Sequence, residues 1–139
     1  MGIHSDYVRP DDVLVINSNH ETWVAYDMFV YKANRSAITK RVKSIDEAFE
    51  QLKDKNYKAI FLGSFVDGKP MMPEDRVQKI RELTDAPIFY VIPWSSSHIY
   101  NQISALEDKI SKLYVMNGNL LFSGAPDHDM VKKMGEYLH

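Results

Sequence analysis

From Asp12 onward, short apolar runs alternate with segments in which apolar residues recur at helical spacing, the pattern that builds a parallel sheet covered by helices on both faces. The unit of strand then helix is repeated five times. Val13 to Ile16 (VLVI) is unbroken by polar residues and predicts a central strand buried on both sides. A helix is expected from about Glu21 to Lys32, with Val24, Met28 and Tyr31 as its inner stripe. Ala37 to Val42 (AITKRV) alternates apolar and polar residues, which suits an edge strand. Ser44 and Glu47 form a capping box, and Ile45, Ala48, Phe49 and Leu52 follow at i, i+3, i+4 and i+7 as a core face.

Ala59 to Leu62 (AIFL) reads as the third strand, followed by a loop with Asp67, Gly68 and Pro70. The next helix is expected to start near Pro73, with Glu74 and Asp75 at the positive end of its dipole and Val77, Ile80 and Leu83 inward. Ile88 to Ile92 (IFYVI) is the fourth strand. A long fourth helix after Pro93 is expected to carry Ile99, Ile103, Leu106, Ile110 and Leu113. Leu120 to Phe122 is the expected fifth strand and Met130 to Leu138 the closing helix, capped by Asp127 or Asp129. Asn117-Gly118, between LYV and LLF, is also a hairpin signal, so a β-hairpin is the alternative for that region. Residues 1–11 then form an N-terminal extension to an α/β domain over residues 12–139, within the size of one compact unit.

Composition narrows the function. Seventeen Lys and Arg face nineteen Asp and Glu, a net charge of −2, which argues against a nucleic-acid partner, because such domains gather a basic excess. The chain has no cysteine; disulfides, thiolate metal sites and cysteine nucleophiles are excluded, and a reducing, cytoplasmic setting is expected. No leader-like or membrane-spanning apolar stretch is present, so no membrane partner is expected.

Five strand–helix units in this order, with a loop and Pro-started helix after the third strand and a short strand before the last helix, resemble the receiver domain of bacterial response regulators. The resemblance spans Asp12 to Leu138. It implies a flavodoxin-like three-layer sandwich with a parallel five-stranded sheet in the order 2-1-3-4-5. It also implies an acidic pair after the first strand to hold magnesium, a phosphoacceptor aspartate after the third, a Ser or Thr after the fourth and a lysine after the fifth. Asn17 and Ser18 stand where the acidic pair should be, and Gly63, followed by Ser64, stands where the phosphoacceptor should be. Ile92, followed by Pro93 and Trp94, occupies the switch-hydroxyl position, and Gly124, or Asn117 in the shifted register, the lysine position. A hydrophobic frame without its phosphorylation chemistry is a pseudo-receiver.

Other constellations have plainer alternatives. His20, Glu21 and Asp67 fall after strands 1 and 3 and could hold a metal, but scattered polar loop residues are ordinarily just solvated. Ser95, Ser96, Ser97 and His98 could supply a nucleophile and base for a small hydrolase; a serine cap for the fourth helix explains them more simply. Trp94, Tyr90 and Phe65 could stack on a flavin or another planar ligand, yet the loop NSNHET lacks a glycine to close on a phosphate. Ile99, Tyr100, Tyr114, Met130, Met134 and Tyr137 mark the last two helical units as an expected interface, with core packing as the alternative. The expectation is a phosphorylation-independent, non-enzymatic signalling module that acts as a homodimer or on a protein partner. No catalytic residue, metal or cofactor is assigned. The alternative is a small-ligand sensor using the strand-end pocket.

Overall fold

A computed structural model describes residues 12–18, 23–63, 74–92, 97–117 and 128–138. In chain order they form β1 (Val13–Ile16), α1 (Trp23–Ala33), β2 (Thr39–Val42), α2 (Ile45–Asp54), β3 (Ala59–Leu62), α3 (Glu74–Leu83), β4 (Ile88–Ile92), α4 (Ser97–Ser104), a 3-10 turn (Ala105–Asp108), β5 (Leu113–Asn117) and α5 (His128–Tyr137). The strands pair in parallel in the order β2-β1-β3-β4-β5, the flavodoxin-like arrangement expected from the sequence. None of the described helices is long and apolar enough to cross a membrane.

Alternation along each strand sends neighbouring side chains to opposite faces and so divides the interior into two cores. Leu14, Ile16, Ile60, Leu62, Ile88 and Tyr90 meet α2, α3 and the turn after α4 on one side. Val13, Val15, Phe61, Phe89 and Val91 meet α1 and α5 on the other. The cap of α2 forms: Ser44 Oγ accepts from the Glu47 N–H at 3.1 Å, while Glu47 reaches back past the cap residue to accept from the Lys43 N–H at 3.2 Å. Ile45, Ala48, Phe49 and Leu52 are its buried residues.

Helix α1 departs from the expected orientation. Val24, Met28 and Tyr31 point outward, 68%, 52% and 52% exposed, whereas Tyr26, Phe29 and Val30 are buried. The segment WVAYDMFVYKA is apolar on nearly every side, so two stripes compete for the sheet. The winning one carries two aromatic rings. Tyr26 and Phe29 lie 4.9 and 5.2 Å, centroid to centroid, from Phe61, a larger apolar burial than Val24 and Met28 offer. The far end of α1 is clasped to α5. A Cβ on Gly135 would come within 2.9 Å of the Ala33 carbonyl oxygen, and Asn34 Nδ2 donates to the Leu138 carbonyl at 3.1 Å.

The fifth strand also differs from expectation: it is Leu113–Asn117, in register with Ile88–Ile92. Leu106 and Ile110 are buried as expected, but the fourth helix ends before them. Lys112 adopts a left-handed φ of 54°, which turns the chain out of helical geometry and starts the strand. Leu113 therefore belongs to the sheet. Arg81 ties this turn to the preceding one, donating to the carbonyls of Thr84, Ala86 and Ser111; burial pushes its guanidinium pKa down, partly offset by Asp85. Glu107 accepts from the Val115 N–H at 3.1 Å, satisfying a donor that faces away from β4 on this edge strand. The expected strand Leu120 to Phe122 lies outside the described residues, as does Gly118 of the hairpin signal.

Candidate functional site

The carboxyl ends of the strands are where open α/β sheets bind ligands, and there the ladder runs one residue past β1 and β3. The Asn17 N–H donates to the Val42 carbonyl at 3.0 Å and the Gly63 N–H to the Ile16 carbonyl at 2.7 Å. Both residues are buried, with Ser18 half-buried beside them. These bonds fix Asn17 and Gly63 side by side.

The decisive geometry is between their side-chain positions. A Cβ built on Gly63 would lie 2.6 Å from Asn17 Oδ1, 2.7 Å from its Cβ and 2.8 Å from its Cγ, all inside van der Waals contact. Asn17 thus fills the volume in which any side chain at position 63 would have to begin. Neither residue of this pair carries charge. An amide replaces the expected carboxylate at 17 and no atom replaces it at 63, so the charge that holds a hard cation is missing at both. Among the described residues no buried side-chain N or O lacks a hydrogen-bond partner, and no group of three or more His, Cys, Asp or Glu could hold a metal ion.

Asn117 ends β5 opposite Ile92. Ser64, Pro93, Trp94 and Gly124 lie outside the described residues, as do His20, Glu21, Phe65, Asp67, Ser95 and Ser96. Ser97 and His98 open α4. Tyr90 is a core residue, packed with Leu62 and Ile88 on the α2 and α3 side, not a rim ring free to stack on a ligand. The one fully embedded carboxylate in the described sheet region, Asp12, sits at the opposite, amino end. It accepts from the Ile38 N–H at 2.9 Å and pairs with Lys58 at 3.7 Å.

The last helical unit is built inward. Met134 is fully buried in the second core, and Met130 and Tyr137 pack against that core; Met134 therefore offers nothing to an interface on the folded domain. The Tyr114 and Tyr137 hydroxyls lie 2.8 Å apart, and Phe89 backs the Tyr114 ring at 5.2 Å. The hydrogen bond shared with Tyr137, reinforced by burial, favours the protonated Tyr114 hydroxyl and pushes its pKa up to about 12. Lys133 Nζ stands 5.0 Å from the Tyr114 ring centroid. Ile99 and Tyr100 lie on α4. Two features escaped the sequence reading: the Asn17–Gly63 fit and the outward stripe of α1. Glycine directly after a buried strand was the available signal for the first, since it often marks close approach of another group.

No family model matches the chain, and no curated protein is similar to it in sequence. Solved structures do match in shape. A two-component response regulator from Clostridium difficile aligns at TM-score 0.60 and 17% identity, over 90% of this chain and 95% of its own. A CheY-like response regulator receiver domain protein from Methanospirillum hungatei JF-1 aligns at TM-score 0.59 and 10% identity, over 93% and 97%. An adenylate cyclase from Rhodopirellula baltica aligns at TM-score 0.61 and 10% identity, over 94% and 88%. At such identities likeness speaks for architecture alone, and the architecture it shows is the flavodoxin-like fold of receiver domains.

Proposed function

We propose that this domain is a phosphorylation-independent signalling module that works through protein–protein contact. The observation that supports this most directly is Asn17 packed over Gly63: the place of a phosphoacceptor side chain is occupied by a neutral amide. Without a nucleophile at 63 and without a carboxylate at 17, these two positions supply neither the acceptor nor the metal-holding charge that phosphoryl chemistry needs. A receiver-type frame stripped of that chemistry retains its surfaces. A small-ligand sensor at the same strand ends is disfavoured at positions 17 and 63, where the side chain leaves no room.

The test is a thermal-shift comparison of the apo protein with magnesium plus beryllofluoride, alongside FMN and a metabolite panel. A ligand that binds only the native state raises its melting temperature. No shift with the phosphoryl mimic is expected; a magnesium-dependent shift would overturn the proposal, and a shift with FMN or a metabolite would favour the sensor. A companion measurement probes the packing itself. Gly63→Ala is expected to cost about 1–3 kcal/mol by overpacking, and adding Asn17→Ala should recover part of that loss in a double-mutant cycle.

A further inference from the structure

The outward face of α1 is an exposed apolar seam. Val24, Met28 and Tyr31 are exposed and follow one another at spacings of four and three residues, the a/d rhythm that helices use to pair side by side. Arg35 lies 5.7 Å from the Tyr31 ring centroid and closes the seam at its carboxyl end. The charges on the flanks distinguish one occupant from others. With 100° per residue, Asp27 borders the seam on one side and Lys32 on the other.

We infer that this face is a contact between two copies of the chain, with the α1 helices side by side and parallel. Taking Met28 as position a places Val24 and Tyr31 at d, Asp27 at g and Lys32 at e. In a parallel pair, a g residue faces the e residue five positions later on the other helix, so Asp27 of each copy meets Lys32 of the partner. An antiparallel pair would set g against g and e against e, bringing Asp27 onto Asp27 and Lys32 onto Lys32. The carboxylate of Asp27 is already oriented on that flank by Thr39 Oγ1 at 3.3 Å and Arg41 at 3.5 Å, and remains 40% exposed. Two helical turns fall short of the roughly 800 Å² per partner of a standard interface. The pairing is therefore weak, and it responds to local concentration.

This inference rests on reading the domain as a contact module, but it is tested separately from the phosphoryl-mimic experiment. Because the chain has no cysteine, single Val24→Cys, Met28→Cys and Tyr31→Cys variants can each be oxidised and scored for disulfide-linked dimer. Glu82→Cys, on an exposed position of α3, measures random collision. Parallel pairing predicts that all three seam variants crosslink to themselves at least ~10-fold faster than Glu82→Cys. In sedimentation velocity at high concentration, Lys32→Asp should shift the protein toward monomer, and Asp27→Lys combined with Lys32→Asp should restore the dimer. Crosslinking only in mixtures of Val24→Cys with Tyr31→Cys would overturn the parallel arrangement, and seam rates equal to that of Glu82→Cys would overturn the contact. A phosphoryl-mimic shift with crosslinking intact would sink the proposed function and leave this contact standing.

Discussion

Helices α1 and α2 are similar in length and cover opposite faces of one sheet, yet their sequences constrain them very differently. In α2 every turn carries charged or amide residues on one side, Asp46, Glu47, Glu50 and Lys53 among them, so only one stripe can turn inward. In α1 the side away from the core holds Val24, Met28 and Tyr31, and periodicity alone cannot tell the two stripes apart. What selects the inner stripe is its aromatic payload against Phe61 and the clasp to α5. Amphipathic periodicity is informative about burial only when the other face is polar; when it is not, the leftover apolar stripe is itself the finding.

The comparison can be broken most severely by truncating the two buried rings. Phe29→Ala and Phe49→Ala are each expected to cost about 3–5 kcal/mol, with Phe29 at the upper end because it is more deeply buried; urea unfolding measures both. If Phe29→Ala proved mild, the inner stripe of α1 would be wrongly assigned. Next in size is Gly135→Val, expected to cost about 1–3 kcal/mol by pressing a side chain on the Ala33 carbonyl, with no counterpart on α2. Ser44→Ala should cost about 1 kcal/mol by leaving the Glu47 N–H of α2 without its cap, read in the same unfolding assay. Smallest is Met28→Ala, expected to stay within about 0.5 kcal/mol because the side chain is half exposed. A large loss there, at a concentration where the chain is monomeric, would mean that Met28 is buried after all.

Four of the five strands, the α2 face and its cap were legible because each rests on local rules, namely unbroken apolar runs, a capping box and helical spacing; the sheet order followed from the resemblance to receiver domains. The fifth strand was not. Leu113 fits the stripe of the preceding helix as well as it fits a strand, and what separates the two is a left-handed lysine at 112, a conformation that side-chain pattern does not announce. Asn17 and Gly63 were also readable one at a time as residues that follow buried strands. Their packing on each other was not, since it depends on two strand ends meeting across the sheet. The aromatic and methionine residues of the last unit carried an ambiguous signal; Met134 went to the core, and among the described residues the exposed large apolar side chains Val24, Met28 and Tyr31 lie on the first helix.

The fit between residues 17 and 63 also gives the chain a direction in sequence space. With asparagine in place at 17, any larger residue at 63 meets occupied space at under 3 Å, so a carboxylate cannot be placed there by one substitution without strain. Removing the asparagine first leaves a buried gap. Either order passes through a destabilised intermediate, so the pair behaves as a ratchet: once the two residues have settled on each other, neither is easily replaced alone.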